Sequence, residues 1–279
     1  MQKEIIQSHK INNRINHYGY GKYNAAMNMA IDEAMLKLSE EQKEFYVRFY
    51  DFTNKSVILS YSDSVDNVFM KKDVEFTRRI TAGKPIYIDN NVLAYSITGP
   101  TKSDVNLSTS TQVHNLFGNI IANAVKRSIK SGFKVELGKA YSIRINGKPI
   151  AGHGQYINTE HSFLYHGIIA VGPWNSEEIK STIRIRNEDY NELKQLPNLS
   201  ELGNSDYSIE KHKLNFISNI RKEVELQFKE SSDIEIRDKE EIDKSARRFY
   251  KNKYSNSSWF NRSDIQLRND SRFCLLYEG

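Results

Sequence analysis

The sequence holds a single cysteine, Cys274. No intrachain disulfide can form, and a disulfide scaffold or a cysteine-ligated zinc site is excluded. Five prolines and fourteen glycines are too few for a Pro- or Gly-rich low-complexity chain. The longest apolar runs, such as Ile168 to Val171, fall far short of the roughly 20 residues of a membrane helix. The polar start from Met1 to Arg14 shows no signal-peptide core. A soluble, cytoplasmic protein with no membrane partner is therefore expected. Charge of one sign is also scarce: 40 Lys and Arg against 35 Asp and Glu leave +5 on 279 residues. That excess helps an anion approach but is no nucleic-acid footprint, and no nucleic-acid partner is expected. What is present suffices for one large domain or two modest ones, with 38% hydrophobic and 11% aromatic residues to build a core.

Periodicity places the elements. Met27, Ile31, Ala34, Met35 and Leu38 share one face of a helix over Asn24 to Leu38. Val113, Leu116, Phe117, Ile120, Ile121, Ala124 and Val125 predict a second helix from about Ser110 to Ser131. Ser108, Thr109 or Ser110 can cap its start and Gly132 its end. Glu44 to Tyr50 and Ser56 to Tyr61 read as a hairpin, as does Ile86 to Ile97 turning at Asp89-Asn90-Asn91. Strands follow at Lys134 to Leu137, Tyr141 to Ile145, Ile150 to Tyr156 and Phe163 to Val171. Asn146-Gly147 makes a tight turn, because both residues tolerate positive φ. Helices are predicted at Ser208 to Phe228 and Asp238 to Tyr254. Strands following strands, with helices grouped, predict an α+β fold with a mixed, mostly antiparallel central sheet flanked by helices. The helices from Asn24 and Ser110 are expected on one face. The hairpins Ile86 to Ile97 and Tyr141 to Tyr156 are expected to border one pocket. The main domain is placed at 1–204, with a small helical C-terminal extension, 205–279, packed on it.

Three clusters could carry chemistry. Arg78-Arg79-Ile80-Thr81-Ala82-Gly83-Lys84 sets basic side chains beside small residues, which lets amides and cations approach a phosphate or carboxylate. Read alone, the signal is weak, and an ordinary basic surface loop is the readier explanation. It is no Walker loop, since Pro85 stands where a Ser or Thr would meet magnesium. The hairpin Asn146 to Gln155 aims Lys148 at whatever lies near its turn, with Gly152 and Gly154 allowing close backbone approach. His153, His161 and His166 invite a metal reading, but His166 alternates on an apolar strand as a core histidine does, and no metal site is expected. Neither a nucleophile elbow nor a centrally placed cysteine is present.

The order of these pieces resembles the lipoate–protein ligase A family, within the biotin and lipoate ligase superfamily. Ala26 to Ala34, with Asp32-Glu33-Ala34, resembles the family's first helix. Val47-Arg48-Phe49-Tyr50 and Ser56 to Tyr61 resemble its L-R-F-Y and A-V-x-x-G-Y strands. Arg78 to Asp89 resembles the R-R-x-T-G-G-G-A-V-x-H-D loop, Leu93 to Ser96 the L-N-Y-S strand, Gly147 to Gly152 the G-K-K-I-x-G motif, and His166-Gly167 the next strand's H-G. Leu196 to Leu199 and the Lys253 to Trp259 tail also fit.

The resemblance implies a biotin/lipoate ligase-like catalytic domain that activates lipoate with ATP and magnesium to lipoyl-AMP. The lipoyl group then passes to a lysine of a lipoyl-carrier protein domain. It implies a catalytic lysine in the motif that holds Lys148, and Lys84, in the phosphate loop, is the expected substitute for that charge. It implies Arg78, Arg79, Thr81, Ala82, Gly83, Tyr87, Asp89, Ala94, Gly152 and His166 as the substrate- and adenylate-binding set. The sequence departs from the pattern at several polar positions. Ala82 and Lys84 replace glycines, Ile88 a histidine, Ala94 an asparagine, and Ala140-Tyr141 an Asn-Asp pair. Pro149 falls on the motif lysine, leaving Lys148 one place early, and one step along a strand turns a side chain to the other face. A non-catalytic ligase-fold protein that binds an acyl ligand, or a lipoyl-domain or ligase partner, is the alternative. The chain beyond Phe228 is too short for the accessory domain that two-part members need, so a separate accessory ligase subunit is expected.

Overall fold

Two strands set the architecture, because both are buried at every residue: Phe45–Phe52 and Val92–Pro100. A strand hidden on both faces needs cover from both sides. The computed structural model describes residues 10–138 and 140–262. Cys274 and the rest of the predicted extension beyond 262 lie outside the described residues.

In chain order the first half holds β1 (Ile11–Tyr23), α1 (Ala25–Gln42), β2 (Phe45–Phe52), β3 (Ser56–Leu59), β4 (Glu75–Arg78), β5 (Ile86–Ile88) and β6 (Val92–Pro100). A continuous helical stretch follows: α2 (Ser110–Val113), a π-helical turn (His114–Gly118) and α3 (Asn119–Ser128). Next come β7 (Val135–Gly138), β8 (Ser142–Ile145), β9 (Lys148–Ile157) and β10 (Ser162–Ala170). The remainder is α4 (Ser176–Thr182), α5 (Asn187–Leu193), α6 (Leu199–Leu202), α7 (Ile209–Gln227), β11 (Phe228–Asp233), α8 (Ile236–Phe249), a π-helical turn (Tyr250–Tyr254) and α9 (Ser257–Phe260).

Eight strands form one sheet in the order β11-β1-β2-β6-β10-β9-β8-β7. β1 runs parallel to both of its neighbours, and the remaining pairs are antiparallel. A small sheet, β4-β3-β5, stands beside it. The α+β class, the mostly antiparallel sheet and the flanking helices are as the sequence predicts. Thr109 supplies the expected cap, in a capping box with Gln112. Asn146 and Gly147 take the positive φ values, 48° and 81°, that their tight turn requires.

Strand partners differ from expectation. β2 and β3 do not pair, because β2 sits in the large sheet and β3 pairs with β4 and β5 in the small one. β5 and β6 are divided in the same way. Turn residues mark a reversal, but register with a third strand decides the partner. β1 and β11 escape a periodicity reading. β11 reads FKESSD, largely polar, and is held at the sheet edge by parallel pairing to β1.

The expectation that α1 and the helix from Ser110 share a face is also corrected. Alternation along β2 and β6 sends Phe45, Val47, Phe49, Leu93 and Tyr95 to one core, with α3 and α7. It sends Tyr46, Tyr50 and Ala94 to the other, with α1 and α8. Chain after residue 205 thus enters both layers: Phe216, Ile220 and Val224 of α7 in the first, Ile242 and Ala246 of α8 in the second. The last turns are tied down as well. Lys253 pairs with Glu33 at 2.8 Å, and the Trp259 indole donates to the Arg78 carbonyl at 2.8 Å.

Gly99 of β6 marks the tightest point of the first core. A methyl group there would run into the Phe45 ring and stand 2.9 Å from that of Phe163. Gly99→Ala should destabilise the fold by about 1–3 kcal/mol, the usual range for overpacking. An unchanged urea midpoint would show that the two rings can yield.

Candidate active site

A cavity of about 640 Å³ opens between the large sheet, the small sheet and the loop joining β4 to β5. Its body is apolar: Met29, Phe52, Ile58, Ile86, Ile168 and Trp174 line it. Arg79, Lys84 and Arg144 bring positive charge to its wall, and no Asp or Glu among the described residues lines it. Such a space suits an elongated apolar ligand with an anionic head.

Behind the wall lies a buried polar network centred on Asp32 of α1, 1% exposed. Its Oδ1 accepts from Arg48 Nη1 at 3.0 Å and from Ser96 Oγ at 2.7 Å. Its Oδ2 accepts from Tyr50 OH at 3.0 Å and His166 Nδ1 at 2.9 Å. Burial alone would raise the Asp32 carboxyl, but the His166 hydrogen bond and the Arg48 charge outweigh it and hold the group below the ordinary carboxylate value. An ionised Asp32 only accepts, so His166 Nδ1 carries the hydrogen. His166 Nε2 meets Thr81 Oγ1 at 2.7 Å, and that hydroxyl accepts from Arg79 Nε at 3.0 Å. A chain of contacts thus runs from the core to the loop at the cavity.

That loop is wrapped around the Arg79 guanidinium. Nη1 donates to the Ile58 carbonyl at 3.2 Å, and Nη2 to those of Ala82 and Lys84 at 3.0 and 2.9 Å. Gly83 sits at φ +122°, where a side chain is strained, and a Cβ there would stand 2.8 Å from Arg79 Nη2. Arg79 therefore holds the loop's shape, leaving the exposed Lys84 on the cavity side.

The opposite wall is the β8–β9 hairpin. Arg144 pairs with Pro149 and Ile143 with Ala151, so Ile150 is an extra residue. Pro149 has no N–H for a ladder, and this bulge absorbs it. Pro149 lines the cavity. Lys148 faces away, exposed, with Nζ 3.2 Å from Gln195 Oε1 and 3.4 Å from the Gln195 carbonyl. Farther along β9, His153 is fixed as a neutral ring. Nδ1 donates to the Tyr141 carbonyl at 2.7 Å, and Nε2 faces Tyr95 OH at 2.5 Å. Burial pushes its pKa down to about 3. Ala140 and Tyr141 both have positive φ, 53° and 54°, an uncommon conformation for such residues that His153 helps hold in place.

Of the residues expected at the site, Arg79, Gly83, Lys84, Ala94, Gly152 and His166 all line this cavity. The hairpin over Tyr141 to Tyr156 borders it, and so do Ile86 and Ala94 of the expected Ile86 to Ile97 hairpin, although those two strands belong to different sheets. Thr81 and the Ala82 carbonyl lie behind the wall, bonded to Arg79. Arg78 points elsewhere: it is buried and donates to the carbonyls of Ser60, Asp63 and Phe260 at 2.8, 2.7 and 2.8 Å. Tyr87 is buried in the core under the small sheet. Asp89 caps the turn before β6, accepting from the Asn91 amide at 2.8 Å, and burial raises its pKa. Lys148 is outside the lining. The histidines diverge, with His161 at the surface near Glu40. No group of three or more His, Cys, Asp or Glu among the described residues is placed to hold a metal ion. No helix among them is long and apolar enough to cross a membrane.

The place of Arg144 in the cavity wall and Arg48's pairing with Asp32 escape the sequence reading. A signal existed for Arg48: it is a charge in the middle of a strand that is apolar or aromatic on either side of it, and a buried charge requires a buried partner.

The fold is shared with solved ligases. One is the bi-partite lipoate protein ligase of Thermoplasma acidophilum, described with its E2 lipoyl domain. It is 18% identical, with a TM-score of 0.68 over 91% of this chain and 97% of that one. Protein Ta0514 of the same organism, with bound lipoic acid, gives 19% identity and a TM-score of 0.68 over 90% and 100%. A lipoate-protein ligase A bound with ATP gives 18% and 0.68 over 90% and 99%. No protein of curated function matches the sequence. Residues 24–221 match the lipoyl protein ligase A/B catalytic domain, and the chain belongs to that family.

Proposed function

We propose that this protein activates the carboxylate of lipoate, or of an acyl acid of similar length, with ATP and transfers the acyl group to a lysine of a lipoyl-carrier domain. A carboxylate oxygen would attack the α-phosphorus and pyrophosphate would leave. The carrier lysine would then attack the acyl carbonyl and AMP would leave. The observation that carries this reading is an apolar cavity whose only charged lining groups among the described residues are cations. Solved relatives of the same fold hold lipoic acid in one case and ATP in another, which supports both substrates. Magnesium would arrive with the nucleotide, since no carboxylate lines the cavity to hold it. The ligase chain with TM-score 0.68 is described as bi-partite and is covered over 97% of its length, which supports a separate accessory subunit here.

In this reading Arg79 keeps the loop closed around the ligand, Gly83 and Gly152 let the backbone approach it, and His166 anchors the loop to the core. Lys84 supplies charge where negative charge develops. Lys148 would have to leave Gln195 to reach the same atoms. One observation favours the second reading, a non-catalytic binder of an acyl ligand or of a lipoyl-domain or ligase partner: Pro149, not a lysine, faces the cavity from β9.

The test is ATP-dependent transfer of lipoate to a carrier domain, followed by the mass of the carrier with accessory subunit present. Lys84→Ala should slow transfer about 10²–10³-fold, the effect of removing one positioned charge-stabilising group. Lys84→Ala and Lys148→Ala variants that both match the parent would remove the two lysines from the chemistry. A parent no faster than the enzyme-free blank would leave the non-catalytic reading.

A further inference from the structure

We propose that Arg144 of β8 binds the oxyanion head of the acyl ligand: the carboxylate before activation, the phosphate ester after it. The inference rests on the reading that the cavity holds an acyl ligand. Arg144 is the Cα partner of Pro149, and antiparallel partners point to the same side of the sheet. Both line the cavity. Pro149 contributes no charge there, so β8 delivers what β9 does not.

The other cations are less suited. Arg79 spends Nε, Nη1 and Nη2 on Thr81 and on three carbonyls of its own surroundings. Turning it to a ligand would release the loop. Arg144 is held only from one side. Nε donates to Ser142 Oγ at 3.3 Å and Nη1 to the Gly147 carbonyl at 2.6 Å. Nη2 has no partner among the described residues. Glu136 lies directly across the ladder from Arg144, yet its carboxylate is 2.5 Å from Lys134 Nζ, and Arg144 makes no ion pair among the described residues. A half-buried guanidinium with an unneutralised charge, preset by two hydrogen bonds and facing an apolar cavity, is organised for an anion.

Gly138 makes the seat for this side chain. A Cβ on Gly138 would stand 2.5 Å from Arg144 Nε and 2.6 Å from its Cδ. The glycine is needed for that space, since its φ is not positive. Any larger residue there would push the guanidinium off its present line.

Calorimetry on the full chain tests the proposal with three probes: lipoate, its neutral amide, and AMP. Arg144→Gln should weaken lipoate or AMP about 10- to 100-fold, the loss of a charge-assisted hydrogen bond, and leave the amide unchanged. Loss for lipoate assigns the carboxylate, and loss for AMP the phosphate. Arg144→Lys should recover part of the affinity. Gly138→Ala, which keeps the arginine, should weaken the same probe, and it serves as the second arm should Arg144→Gln fail to fold. Lys126→Ala, on the far exposed face of α3, should change nothing. Equal affinities for parent and Arg144→Gln overturn the proposal, as does a parent that binds none of the probes. A parent that binds lipoate through Arg144 yet transfers none to a carrier would instead overturn the ligase reading and leave this one standing.

Discussion

Replacing Asp32 with alanine should cost the fold about 3–5 kcal/mol, the usual consequence of removing one partner from a buried ion pair. The carboxylate accepts from four side chains on three strands, Arg48, Tyr50, Ser96 and His166. Arg48 is itself 1% exposed and would keep its charge with Asn28 and the faces of Tyr50 and Tyr18, but no anion, to answer it among the described residues. Asp32→Asn should be nearly as costly. Its amide hydrogens would meet donors where acceptors are needed. Urea unfolding near neutral pH measures the loss. A change below about 1 kcal/mol would mean that Asn28 alone satisfies Arg48. The loop should suffer too, because His166 loses the acceptor that orients it toward Thr81. On the proposed reading, any surviving protein should also bind the acyl ligand less well, which separates this variant from one that is merely less stable.

Acidification should unfold the protein steeply, and histidines should begin the process. Burial lowers the pKa of His17 and His114 to about 4 and that of His153 to about 3. Each folded value lies below the ordinary 6.5. As pH falls through about 6.5 the unfolded chain takes up protons that the folded chain refuses. Stability is therefore fully present above that pH and is lost progressively down to the folded values. One such group contributes a slope of up to about 1.4 kcal/mol per pH unit, so three together reach about 4 near pH 5. Asp32 adds to the same trend at lower pH. Its folded pKa is depressed, so its contribution is present above the ordinary carboxylate value and disappears below it. Urea midpoints measured from about pH 7 to pH 5 check this. A flat profile would show that the three rings accept protons in the folded state.

How much was legible in advance differs between elements. α1, α3 and the inner strands were readable because hydrophobic periodicity records which faces avoid water, and a local pattern needs no partner to be seen. The turn at Asn146-Gly147 was readable because its φ values select their residues. The basic loop from Arg78 to Lys84 is located by its composition, and the family by the order of its motifs. β1 and β11 were not readable. They hold the sheet edge through parallel backbone pairing, which leaves little mark on side-chain type.

The chain's own residues carry the α+β class, the family and the short stretches that surround the cavity. Those follow from local propensity and motif order. The tertiary structure alone decided which strand pairs with which, and thereby which faces receive α1 and α3. It decided that Arg78 supports the chain while Arg79 shapes the loop, although the two are neighbours of the same type. It also turned Lys148 toward Gln195 and Arg144 toward the cavity. The physical reason is register. A single bulge at Ile150 shifts the pairing of β8 with β9, and with a side-chain period of two, that shift decides which charges face the cavity.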